Sequence, residues 1–182
     1  MILFKIIFAI TSVLPLQASK EVDEDGWYTV PRPKKEDVQG SDERDLSVWV
    51  VFSKQIGAEK FLISMPNEPV YRYTDREGSQ MEVYSTSGND QFSLQVLKTA
   101  SDDPNYLLDA RKISCPIAMI VEEVRASESN PYSELTYWYE GNWYHERVVV
   151  TGESTYFLQT KSPDFSLGTH NHFASSFNTE IR

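Results

Sequence analysis

The chain contains a single cysteine, Cys115, among 182 residues. No disulfide can close within it, and its stability has to come from packing. Basic residues are scarce as well: 17 Lys and Arg stand against 27 Asp and Glu, a formal net charge of −10. Nucleic acids and anionic lipid surfaces are recognised through concentrated cations, so neither is expected as a partner. After the first twenty residues there is no long apolar run. A membrane-crossing helix needs about 20 such residues, and none is expected. Catalytic signatures are missing too, with no Gly-x-Ser-x-Gly, no Ser-x-x-Lys, no glycine loop of the phosphate-binding kind and no dinucleotide fingerprint. The usual grounds for a hydrolase or a nucleotide-dependent enzyme are therefore absent, and no cofactor is expected.

The first feature that is present is an address. Lys5 precedes the apolar run Ile6 to Leu16, and the small residues Ala18 and Ser19 follow. This is the layout of a secretory signal peptide, residues 1–18, and it implies export to a periplasmic or extracellular location. Residues 19–45 are crowded with charge and turn formers, as in Lys20-Glu21-Val22-Asp23-Glu24-Asp25, and read as a flexible charged linker that carries the aromatic pair Trp27 and Tyr28. Residues 46–182 are then long enough for one domain with its own core. Cys115, set in Ile113-Ser114-Cys115-Pro116-Ile117, has the surroundings of a small buried apolar residue.

Strand signals dominate this domain. Val48 to Phe52 and Phe61 to Met65 flank a turn at Gly57, and Met81 to Thr86 and Phe92 to Lys98 form a hairpin. In the latter strand Phe92, Leu94 and Val96 alternate with Ser93 and Gln95, the period of two of a half-buried strand. Asp103-Pro104 caps and starts a helix that ends before Pro116, with Tyr106, Leu107 and Ala110 as its apolar stripe. Ile117 to Val124 reads as a strand. Ser133 to Ser162 reads as a three-stranded meander turning at Gly141-Asn142 and at Gly152-Glu153. The first turn sets Trp138 opposite His145 and Leu135 opposite Val148; the second sets Val149 against Tyr156. Apolar residues on both faces of the meander require cover on both sides, and Phe173 and Phe177, four apart, suit a closing helix laid on the sheet. The expected fold is α+β: an antiparallel sheet of about five to seven strands, with the C-terminal meander, covered by helices.

The order of a short strand ending in Met65-Pro66, a hairpin, a proline-started helix, a meander with Arg147-Val148-Val149-Val150-Thr151 and Thr155-Tyr156-Phe157-Leu158, and a closing Phe173-Ala174-Ser175-Ser176-Phe177 resembles the PsbP-like exported bacterial proteins. It is also similar to exported proteins of chlamydia-like bacteria. The resemblance spans about residues 48–182 and implies an antiparallel sheet sandwiched by helices, used mainly as a binding module. It implies no activity, and no metal-site residue carries over.

Three groups of side chains could carry chemistry. His170-x-His172 is the nearest approach to a metal-ligand pair; the two rings share a side on a strand and diverge on a helix, and two histidines do not complete a site. His145 could act as an acid or base only beside a carboxylate on its own face, and Glu146 points to the other. The aromatic hairpin, with Trp138, Trp143 and Tyr144 beside His145, has the residue types that dominate binding surfaces, with Trp138 expected to be covered and Trp143 near the tip more open. The expected function is an exported, non-catalytic binding or accessory domain for a protein or small ligand. The alternative is an exported enzyme using His145 or the His170/His172 pair.

Overall fold

The computed structural model describes residues 49–76, 79–86, 88–98, 103–114, 118–164 and 167–181. The segments read above as a signal peptide and a charged linker, together with Cys115, lie outside the described residues. Ten strands and two helices are present among them: β1 (Val50–Ile56), β2 (Glu59–Met65), β3 (Val70–Arg76), β4 (Ser79–Thr86), β5 (Gln91–Leu97), α1 (Pro104–Ser114), β6 (Met119–Val124), β7 (Tyr132–Tyr139), β8 (Asn142–Val150), β9 (Thr155–Ser162), α2 (Leu167–Ser175) and β10 (Asn178–Ile181). They form two antiparallel sheets, one of order β1-β2-β10 and one of order β3-β4-β5-β9-β8-β7-β6.

The seven-stranded sheet is apolar on both faces, and each face has its own cover. On the inner face Tyr84, Phe92, Leu94, Val96, Tyr156 and Leu158 meet Phe61, Ile63 and Met65 of β2 and Phe173 of α2, giving the main core. On the outer face Leu108 of α1 packs on Leu135 and Tyr137. The expectation of a sheet covered by helices holds in part: α1 covers the outer face, while on the inner face α2 shares the cover with a second sheet. The inner cover is chiefly a second sheet, because β2 alternates strictly, with Phe61, Ile63 and Met65 inward and Lys60, Leu62 and Ser64 outward, and presents a flat apolar row that a sheet can match. The fold is mostly antiparallel β, with two helices.

Local chemistry sets the boundaries. Asp103 caps α1 by accepting a hydrogen bond from the Asn105 N–H at 2.8 Å, and Arg111 and Lys112 sit in its last turn, where cations complement the helix dipole. Leu107, Leu108, Ala110 and Arg111 form the buried face, whereas Tyr106, expected in the apolar stripe, is half-exposed. The β8–β9 register agrees with the sequence, Val149 facing Tyr156. The β7–β8 register does not: Tyr139 pairs with Asn142, Trp138 with Trp143, Thr136 with His145 and Leu135 with Glu146. The two central turn residues are Glu140 (φ 48°) and Gly141 (φ 77°), both left-handed, as the twist-matching hairpin turn requires. Asn142 joins the strand instead, its side-chain amide donating to the Glu140 carbonyl at 3.0 Å.

Candidate functional site

Directly opposite residues share a face, so the register sorts the aromatic hairpin into two groups. Trp138, Trp143 and His145 lie on the inner face, and Tyr144 lies on the outer face, stacked on Tyr137 at 5.0 Å between ring centroids. The expected exposures are reversed: Trp143 is buried, 5% exposed, and Trp138 is half-buried. The hairpin therefore does not present Trp138, Trp143, Tyr144 and His145 as one surface.

His145 is also buried. It shares a hydrogen bond with Thr136 through Nδ1 at 2.9 Å, and its Nε2 lies 3.5 Å from a Glu134 carboxylate oxygen. The carboxylate that faces His145 is thus Glu134, two residues before Thr136 on β7, while Glu146 points outward as expected. Glu134 lies directly opposite Arg147, which donates to it and to the Ala174 carbonyl near the end of α2. Burial pushes the Glu134 carboxyl up, but the His145 ring and the Arg147 guanidinium outweigh it and hold the group below the ordinary carboxylate range. His170 completes the cluster from α2, hydrogen-bonded to Thr160, its ring centroid 5.8 Å from that of His145. Both histidines are at least 95% covered, so this cluster ties α2 to the sheet.

The second histidine of the pair turns away. His172 packs edge-on against Trp49, 4.8 Å between centroids, because positions two apart on a helix diverge. Among the described residues no group of three or more His, Cys, Asp or Glu could hold a metal ion.

On the outer face Arg111 of α1 meets Glu146 of β8. Its Nε lies 3.0 and 2.9 Å from the two carboxylate oxygens and its Nη2 lies 2.6 Å from one of them, while Gln159 and the Tyr137 hydroxyl also donate. Beside this pair is a cavity of about 40 Å³ with Gln95, Leu107, Phe157 and Gln159 in its lining, room for a few waters.

Exposed apolar side chains occur on several elements, Val50 and Val51 of β1, Tyr106 and Ile113 of α1 and Ile120 and Val121 of β6 among them, and three more lie on β3. β3 ends the large sheet, and its seven residues pair with β4 in unbroken register. Val70 is 56% exposed, Tyr71 49% and Tyr73 46%. Behind them Glu82 is buried and bound by Lys54 at 3.2 Å, Lys98 at 2.7 Å and the Tyr84 hydroxyl. Burial pushes this carboxyl up, but the hydrogen bonds from Lys98 and Tyr84 and the charge of Lys54 hold it below its ordinary value. The Lys54 ammonium also lies 4.4 Å from the Tyr71 ring centre. Sequence reasoning passed over β3, although its alternation Val70-Tyr71-Arg72-Tyr73-Thr74 was the available signal. No helix among the described residues is long and apolar enough to cross a membrane. No family model and no curated protein matches the chain.

Proposed function

We propose that the protein is an exported, non-catalytic binding or accessory domain that engages another polypeptide along β3. The observation that carries this reading is the edge itself: seven residues without a bulge, unpaired on the outer side among the described residues, with Val70, Tyr71 and Tyr73 each about half-exposed. Such an edge offers a row of backbone donors and acceptors to an incoming strand, and tyrosines are effective anchors for it. The leader-like first twenty residues support export, and the resemblance to PsbP-like proteins supports an accessory role. The alternative use of His145 as an acid or base has gained a carboxylate, Glu134, but His145 is buried against His170 of α2, and a substrate would have to displace that helix to reach the ring.

A photoreactive side chain at position 73, compared in native cells with one at the exposed loop residue Ser129, tests the reading. Protein adducts formed at position 73 and not at 129 are expected. Equal labelling at both, or none at 73, overturns it.

A further inference from the structure

We propose that the polypeptide taken up by β3 is β3 of a second copy of this chain, antiparallel about a two-fold axis at Tyr73, which joins the two seven-stranded sheets into one. The inference rests on the reading of β3 as the binding edge and names its partner.

A two-fold axis normal to the sheet keeps the same face up in both copies, and residues directly opposite share a face, so one residue must face itself on the axis. Placed at Arg72, the axis sets arginine against arginine; placed at Thr74, it sets Arg72 against residue 76, another arginine. Placed at Tyr73, it uses the whole strand, Val70 to Arg76, and pairs Tyr73 with Tyr73, Arg72 with Thr74 and Tyr71 with Asp75. Like charges no longer face one another, and the tyrosines at the axis are both on the inner face.

The Tyr71–Asp75 pair explains the polar surroundings of the edge. Among the described residues Lys54 and Lys98 share the single carboxylate of Glu82, and Lys54 extends over Tyr71, so two cations meet one anion beside that ring. Asp75 lies on the same face as Tyr71, four residues along, and is exposed. The symmetric register carries the Asp75 of one copy to the Tyr71 and Lys54 of the other, and it does so twice. Other edges lack this complement. β6 breaks register between Ile120 and Glu122, β10 has four residues, and β1, Val50-Val51-Phe52-Ser53-Lys54-Gln55-Ile56, contains no carboxylate to meet its own lysine. Bulges and short strands are the usual protection of an edge, and β3 has neither.

Position 73 gives a test specific to the axis, read by sedimentation equilibrium of the full chain at low salt. Wild type is expected to dimerise. Tyr73→Lys and Tyr73→Glu each place like charges against themselves and should raise the dimer dissociation constant about tenfold or more, while an equimolar mixture of the two should associate again as a heterodimer. Circular dichroism and melting should show both variants folded, because Tyr73 is half-exposed. A monomeric wild type, a dimer indifferent to both variants, or a mixture that stays monomeric overturns the proposal. The photoreactive chain separates the two failures: adducts at position 73 with other proteins alone retain the edge and reject the second copy, and no adduct there rejects both.

Discussion

Replacing Arg111 by Met should expose how much the outer face depends on one buried charge. Arg111 is 8% exposed and forks onto both oxygens of Glu146, while Gln159 and Tyr137 donate to the same carboxylate. Burial pushes the Glu146 carboxyl up, but the Arg111 charge and these hydrogen bonds outweigh it, so the group lies below the ordinary carboxylate range. A depressed carboxyl adds stability that is present above the ordinary range and lost as pH falls through the native value. Arg111→Met reverses the sign: the carboxylate keeps its burial and loses its cation, so its pKa rises and the penalty is felt at neutral pH and relieved on acidification. Breaking a buried pair from one side costs about 3–5 kcal/mol, against a total of about 5–15 kcal/mol for a domain. Urea unfolding followed by tryptophan emission should show that loss at about pH 7 and a smaller one at about pH 5. Adding Glu146→Gln keeps an acceptor for Tyr137 and Gln159 and removes the orphaned charge, and should recover about 1–3 kcal/mol. A double variant no better than the single, together with a cost that does not change with pH, would refute the account.

Two further outcomes follow from the hairpin. Trp143→Ala should cost about 3–5 kcal/mol, as large buried aromatic truncations do, and Trp138→Ala distinctly less because its side chain is half-buried; equal shifts in urea midpoint would refute the inner-face packing. Glu140→Asn should stabilise the protein by about 0.5–1 kcal/mol, since Glu140 holds φ 48° and asparagine accepts that conformation more readily; a lowered melting temperature would show that the Glu140 side chain has a role the turn geometry does not include.

The fold is legible in the sequence where the signal is local. Asp103-Pro104 announced the start of α1, Gly152-Glu153 the second turn, and the alternation of Phe92, Leu94 and Val96 a strand. The β7–β8 register lies two residues from the expected one because Gly141 suits either central position of a tight turn, and the glutamate that takes the other is not a residue one expects there. A slip of two leaves every side chain on its own face, which is why Trp138, Trp143 and His145 were still grouped together while their partners and exposures were wrong. β10 was not legible at all: four residues, Asn178–Ile181, become a strand only because β2 supplies an edge more than a hundred positions earlier in the chain.

The candidate site shows a harder limit. Whether His145 is a surface residue or a buried one depends on what covers its strand, and that cover is α2, whose placement depends in turn on Arg147 reaching the Ala174 carbonyl and on Phe173 entering the core. Glu134 could have been found as the facing carboxylate only from the correct register, since it is diagonal to His145 and directly opposite Arg147. Arg147 on the Ala174 carbonyl and His170 on Thr160 hold that cover in place. The tyrosines of β3 are no more legible: their strand has a neighbour on one side among the described residues, and their alternation matches that of any half-buried strand. What would distinguish the edge from an ordinary sheet margin, in the dimer proposed above, is a relation that a single chain's pattern does not display, namely that Asp75 of one copy meets Tyr71 and Lys54 of the other.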